Sequence, residues 1–149
     1  MLLKPTLEDA VALASALHKG QKDKAGASYI LHPLRVMLNP LLTTDEERIA
    51  AVLHDTVEDC DITLEQLRER GYSAEVVEAL SFLTKLPEEE DDYDAFIERI
   101  LGGLLIARKV KLADLHDNAD LSRFAHPTEK DVKRQEKYKR AIARLEGSL

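Results

Sequence analysis

The stretch Ile49-Ala50-Ala51-Val52-Leu53-His54-Asp55-Thr56-Val57-Glu58-Asp59 joins an apolar run to one histidine and three carboxylates. On a helix, residues three and four apart share a face. His54 then lies over Glu58, Asp55 lies over Asp59, and Asp55 also neighbours Glu58. The apolar run, continued by Val57, demands burial. The stretch is therefore expected to be a core helix with an acidic, histidine-bearing edge. Carboxylates buried on such an edge need a cation, because unpaired buried charge is costly. Glu-Asp pairs also decorate solvated faces, so spacing alone leaves a solvated edge open.

The rest of the chain supplies helices to pack against this one. Thr6 with Asp9 has the form of a capping box, and Leu7, Val11, Ala14, Leu17 and His18 follow helical spacing up to Gly20. The segment from Gln21 to Tyr29 is a polar, glycine-bearing loop. Pro33 suits the first turn of a helix over Leu34 to Leu38, which places His32 at its mouth. Asn39-Pro40 ends that helix. Thr44 with Glu47 caps the central helix, expected from about Asp45 to Glu58. Thr63 with Gln66 opens a short helix ending at Gly71. Ser73 opens another, with Val76, Val77, Leu80 and Leu83 buried. Pro87 and the acidic run Glu88 to Asp92 read as a solvated loop. Tyr93, Phe96, Ile97 and Ile100 mark a helix before the Gly102-Gly103 turn. Leu104 to Asn118 reads as a long helix with Leu105, Ile106, Val110, Ala113 and Leu115 apolar. Thr128 caps a last helix faced by Val132, Tyr138, Ile142 and Leu145. No stretch alternates as a strand would, and nothing repeats. The fold class is all-α, in one domain.

Composition narrows the function. With 21 basic and 28 acidic residues in 149, the net charge of −7 argues against a general binder of nucleic acid or membrane surfaces. A polyanionic substrate would need a metal and a local basic patch. The single cysteine, Cys60, excludes an internal disulfide and fits the reducing cytoplasm; it reads as a packed small residue. Met1-Leu2-Leu3-Lys4-Pro5 is too soon interrupted for a signal peptide, and no apolar run approaches membrane-spanning length.

Four residues can build one metal site: His32, His54, Asp55 and Asp114. Imidazole and carboxylate donors suit Mn²⁺, Fe²⁺ or Zn²⁺. Only two of the four are adjacent in sequence, so the fold must gather the others. Asp114, with Asn118 one turn on, is an acid within a largely apolar helix. Pairing with a lysine, or capping a helix, would equally account for it.

The ordered set His32-Pro33, His54-Asp55-Thr56-Val57-Glu58-Asp59 and Val110-Lys111-Leu112-Ala113-Asp114 with Asn118 resembles the hydrolase domain of the RelA/SpoT alarmone enzymes. Those enzymes belong to the HD superfamily of metal-dependent phosphohydrolases. Gly20-Gln21, Lys24, Gly26, Tyr29-Ile30 and Leu83-Thr84-Lys85 support the resemblance, which runs from about Leu7 to Arg123. Nothing resembles a synthetase or regulatory domain. The resemblance implies an HD-domain helical bundle over residues 1–149, a small stand-alone hydrolase with a metal in its core. It implies that His32, His54, Asp55 and Asp114 hold the metal, usually Mn²⁺. Glu58 and Asp59 match the pair that activates water. Lys24 matches a residue near the substrate's phosphates or base, and Asn118 one facing sugar and phosphate. The implied reaction releases pyrophosphate from the 3′ position of guanosine tetra- or pentaphosphate, giving GDP or GTP. The implied partner is this small nucleotide; a homo-oligomer is left open.

The chemistry is coherent by itself. A metal lowers the pKa of bound water and polarises a phosphoryl oxygen, and Glu58 is placed to take a proton. Outer phosphates need cations, for which Lys22, Lys24, Arg35, Lys111 and Arg123 are the candidates. Two positions depart from the family pattern. Asp23 stands where an arginine usually stacks on guanine, and an acid cannot make that contact. Leu121 stands where a polar residue is common. An adenosine-based substrate, an HD nucleotidase releasing one phosphate, and a non-catalytic nucleotide sensor are the alternatives. Retention of Glu58 and Asp59 weighs against the sensor. His18, His116 and His126 read as satisfied or exposed, with His116 nearest to Asp114. The basic stretch Lys130 to Arg144 reads as a solvated helix face.

Overall fold

Hydroxyl caps decide where most of these helices begin. In the computed structural model, which describes residues 3–149, Thr6 starts α1 (Leu7–Leu17), and its side chain and that of Asp9 satisfy each other's backbone N–H groups. The same reciprocal cap joins Thr44 to Glu47 at the start of α3 (Asp45–Leu53). It recurs at Thr63 with Gln66 before α5 (Leu64–Glu69), and at Thr128 with Asp131 before α9 (Glu129–Gly147). Ser73 caps α6 (Ala74–Leu83), and Asp92 caps α7 (Tyr93–Leu101). Between them run α2 (Leu31–Met37), α4 (Thr56–Asp59) and α8 (Leu105–Asn118). Among the described residues the only extended pairing is an isolated bridge between Lys22 and Ser28, so the fold is all-α. None of these helices is long and apolar enough to cross a membrane. Met1 and Leu2, where the leader reading begins, lie outside the described residues.

Two hydrophobic clusters share α8. In the first, α3 packs against α1, α2, α6 and α8, burying Ala14, Val36, Leu53, Leu80 and Val110. In the second, α7, α8 and α9 bury Ile97, Ile100, Leu115 and Leu145. Ala107, Val110 and Ala113 face one cluster while Leu112 and Leu115 face the other. A helix apolar on two sides is fixed in rotation, so what it carries along the seam is fixed too.

The structure corrects four expectations. The single helix expected from Asp45 to Glu58 is two, because α3 stops at Leu53 and α4 starts at Thr56. Side chains compete for the carbonyls there: His54 Nδ1 lies 2.6 Å from the Ala51 carbonyl oxygen, and the Thr56 hydroxyl donates to the Leu53 carbonyl at 2.7 Å. The run from Glu88 to Asp92 is not wholly solvated. A 3₁₀ turn over Pro87–Glu89 buries Glu89 against the Arg99 guanidinium, 2.8 Å from Nε to Oε2. Leu105 and Val132, read with the apolar residues of their helices, are 51% and 49% exposed, since they sit at helix starts beyond the packed seam. The basic stretch of α9 is not only a solvated face, as described next.

Candidate functional site

The break after Leu53 aims the two residues in it inward. His54 comes from there, His32 from the first turn of α2, and Asp114 from the seam of α8; all three are buried. Their donor atoms lie within 4.8 Å of one another. Asp114 Oδ1 is 2.8 Å from His32 Nε2 and 3.1 Å from His54 Nε2. Asp55 Oδ2 faces the same two nitrogens, at 3.7 and 3.1 Å. The four expected ligands are thus brought together, with Asp55 the least enclosed.

Both imidazoles are held by their other nitrogen. His32 Nδ1 donates to Asp117 at 2.6 Å, and His54 Nδ1 donates to the Ala51 carbonyl at 2.6 Å. This leaves each Nε2 pointing at the centre, where two carboxylate oxygens also converge. Ring orientation by an outer acceptor is how protein ligands are prepared for a metal. Four electron-rich atoms at such spacing repel unless positive charge joins them. The surrounding charges act on each group in turn. Burial opposes the charged form of His54, yet Asp55 and Asp114 carry its pKa well above the ordinary range. Burial would raise Asp114, but Lys111 and the imidazoles hold it well below the carboxylate range. Burial would also raise Asp55, and the His54 charge brings it down to about 2. The donor set therefore fits a divalent metal, which could be held in the core by these His and Asp side chains.

Asp114 divides its two oxygens between different partners. Its Oδ2 pairs with Lys111 Nζ at 2.9 Å, while Oδ1 faces the histidines and accepts from Asn118 Nδ2 at 3.1 Å. Lys111, which lines the smaller of two adjoining pockets, is therefore paired with Asp114. Asp117 was not singled out by its sequence, although it stands one turn from Asp114. It anchors His32 and accepts from Arg35 Nε at 2.7 Å, and Arg123 also reaches it. His116, its neighbour, is exposed. Tyr29 was also missed as a site residue; its hydroxyl donates to Asp55 at 2.5 Å.

Two pockets adjoin the cluster. The larger, of about 350 Å³, is lined by His32, Asn118 and Tyr138, and by cations including Lys24, Arg123 and Arg134. Lys24 is exposed at its rim, and partial desolvation together with the Arg134 charge lowers its pKa. The smaller, of about 150 Å³, is lined by His54, Asp55, Glu58, Asn118 and Tyr138. Glu58 thus lies beside two of the candidate ligands. Partial desolvation, then the Asp59 and Asp55 charges, push its carboxyl above the ordinary range against Lys85 and Lys111. Asp59 is exposed and lines neither pocket; its own pKa is raised by partial desolvation and by Asp55. The α9 side chains Arg134 and Tyr138 reach the site because Ala141 and Leu145, further along the helix, anchor it in the second cluster.

Asp23 has a structural occupation. Its Oδ1 accepts from the backbone N–H groups of Ala25 and Ala27, each at 2.9 Å, closing the loop beside the Lys22–Ser28 bridge. Gly26 meets that turn with φ +89°. Leu121 lines the larger pocket.

A bundle of this kind, with histidines and aspartates gathered at the seam, has known counterparts. The HD domain family matches residues 10–137, and the chain belongs to that family. Among its relatives is guanosine-3′,5′-bis(diphosphate) 3′-pyrophosphohydrolase MESH1 of Danio rerio, 38% identical over 127 residues that cover 78% of this chain and 69% of that one. Another is guanosine-3′,5′-bis(diphosphate) 3′-pyrophosphohydrolase of Aquifex aeolicus, 36% identical over 118 residues. That match covers 75% of this chain but 17% of the Aquifex protein, so the chain spans about a sixth of such long relatives. A solved structure described as a metazoan ortholog of SpoT that hydrolyzes ppGpp shares the fold, with TM-score 0.80 and 22% identity, over 99% of this chain and 89% of that one.

Proposed function

We propose that the chain is a metal-dependent pyrophosphohydrolase acting on a hyperphosphorylated nucleotide, with guanosine-3′,5′-bis(diphosphate) the substrate its relatives indicate. The observation that carries this reading is the convergence of His32, His54 and Asp114 within 4.8 Å, with Asp55 facing the same nitrogens. These four side chains would hold the ion, Mn²⁺ being our choice over Fe²⁺ or Zn²⁺. Bound there, the metal would polarise the phosphoryl oxygen and acidify water.

Glu58 then takes the proton from the attacking water; its raised pKa brings it nearer the operating pH, where a general base works best. Asp59 acts through Glu58, since its charge helps to raise that pKa. Water attacks phosphorus, the bond to the ribose 3′ oxygen breaks, the proton held by Glu58 passes to that oxygen to give the 3′ hydroxyl, and pyrophosphate leaves with the water's oxygen. Asn118 lines both pockets and is suited to hold sugar and phosphate across them. Lys24, Arg123 and Arg134 in the larger pocket balance the remaining phosphates. Lys111 keeps Asp114 in place instead of meeting substrate.

Asp23 supports a second reading of the base. Its carboxylate shapes the loop, so any stacking must come from elsewhere, and Phe124 and Tyr138 line the larger pocket. Aromatic faces accept adenine as well as guanine. The test is pyrophosphate release from guanosine tetraphosphate and its adenosine counterpart, with Mn²⁺ and with chelator. Metal-dependent release from the guanosine compound supports the main reading. Release from the adenosine compound alone shifts the substrate, and orthophosphate as product makes the protein a nucleotidase. Full activity in Asp55→Ala sinks the metal assignment.

A further inference from the structure

The last carbonyls of a helix have no partner within it, and α4, at four residues, has little else of its own to hold it. Glu58 and Asp59 stand on this turn. Among the described residues, no basic group comes within 4.0 Å of either carboxylate, so their place depends on the backbone that carries them. At its start α4 is fixed by the Thr56 hydroxyl on the Leu53 carbonyl, and Val57 packs against the first cluster. At its end the partner comes from the loop after α1: Gln21 Nε2 donates to the Asp59 carbonyl at 3.2 Å.

Gln21 is itself held on three sides. Gly20, at φ +88°, turns the chain at the end of α1, and the Gln21 N–H donates to the His18 carbonyl at 3.0 Å. The Gln21 carbonyl accepts from the Tyr29 N–H at 2.9 Å. The side-chain oxygen lies 2.7 Å from His18 Nδ1. That oxygen can only accept, so Nδ1 donates. With the oxygen so engaged, the amide nitrogen must face the other way, toward Asp59 and, at 3.7 Å, Cys60 Sγ, which also stands 3.4 Å from Nδ1. His18 therefore sets the sense of the amide. The imidazole is 2% exposed, and its Nε2 is closed off without a hydrogen-bond partner. A buried unpaired nitrogen is unfavourable, and an apolar side chain would fill this place without that cost. What the histidine supplies is the Nδ1 contact. Neither His18 nor Gln21 lines either pocket beside the metal cluster, so neither is placed to meet a nucleotide there.

We propose that Gln21 is a positioning residue for the water-activating acid pair: oriented by His18, it holds the C-terminal end of α4 and so keeps Glu58 beside His54 and Asp55. This rests on the hydrolase reading above.

The test joins hydrogen exchange, which needs no turnover, to kinetics and Mn²⁺ calorimetry on the whole protein. Gln21→Met keeps the length of the side chain and loses both amide contacts. The amides of Asp59 and Cys60 should exchange about tenfold faster or more, with those of α3 unchanged. With guanosine tetraphosphate, kcat should fall about tenfold or more while KM stays within about twofold and Mn²⁺ affinity is unchanged. His18→Leu should reproduce that loss, and His18→Asn, whose amide nitrogen replaces Nδ1, should restore most of it. Since His18 acts through Gln21, joining His18→Leu to Gln21→Met should be no worse than Gln21→Met alone. Unaltered exchange or unchanged kcat in Gln21→Met overturns the proposal. So does an equal fall in Mn²⁺ affinity, which would make the contact a support of the metal centre and not of the acid pair. Losses that multiply in the double variant overturn the part given to His18. A wild-type protein that hydrolyses no alarmone, with α4 exchange raised in Gln21→Met, would overturn the reaction and keep the strut. Hydrolysis by wild type with unaltered exchange and kcat in Gln21→Met would do the reverse.

Discussion

Asp117 illustrates how much of a candidate metal centre is set by residues that would never touch the ion. It fixes His32 through Nδ1 at 2.6 Å and is itself fixed by Arg35. The Asp117→Ala variant frees the imidazole to rotate. Outer partners of this kind are worth about 10–100-fold in metal affinity. We expect Mn²⁺ binding to weaken by that order, with the circular dichroism spectrum unchanged; unaltered affinity would show that packing alone aims His32. Glu58→Gln tests the other function of the centre. It keeps the shape and removes the base, so kcat should fall by about 10²–10⁴ while Mn²⁺ affinity stays constant. A parallel loss of metal binding would make Glu58 a ligand and not a base.

Among the elements, α3 depends on its first turn more than on its length. Glu47 is buried there, accepts from the backbone N–H groups of Thr43 and Thr44, and pairs with Lys109 on α8. Burial opposes its charge, but Lys109 and the two backbone donors bring its pKa from the ordinary 4.5 down to about 2. A carboxyl depressed on folding stabilises fully above its unfolded value and loses that contribution as pH falls toward its folded value. The shift corresponds to roughly 3 kcal/mol, present above about pH 4.5 and gone near pH 2. Urea titrations of wild type and Glu47→Gln should therefore differ most near neutrality and converge in acid; a constant gap would contradict the ion pair. This capping box was legible in the sequence, as were the box at Thr6, the pairing of Thr63 with Gln66 and the cap at Thr128, because a cap is a local event of four residues. The break at His54–Asp55 was not legible. Helical spacing continues through it, and only burial makes His54 and Thr56 spend their donors on nearby carbonyls. Asp114, His32 and His54 could be picked out as an ordered set, yet their convergence is a property of α2, α3 and α8 together. Asp117 and the α9 residues escaped notice because the faces they show are decided by packing.

At the scale of the whole molecule, the candidate metal ligands and the pocket walls belong to different parts of the core. His32, His54 and Asp114 come from α2, the end of α3 and α8, around the first cluster. Arg134, Lys137 and Tyr138 come from α9, which is held in the second cluster by Ala141 and Leu145 against α7 and α8. The HD family match, residues 10–137, takes in the helices that bear these side chains and ends within α9. Leu145 is fully buried, and Leu145→Ala removes its contacts at a cost of about 2–5 kcal/mol. If the clusters respond separately, the loss falls first on α9: its amides should exchange hydrogen faster than those of α3, as expected of a less stable unit. KM for the nucleotide should rise as the pocket walls loosen. Mn²⁺ affinity should stay within about twofold of wild type, since α8 keeps its contacts with α2, α3 and α6. Calorimetry beside hydrogen exchange reads both quantities on one sample. Equal losses of metal and nucleotide binding would mean that α8 transmits the defect across the seam, and that the two clusters act as one.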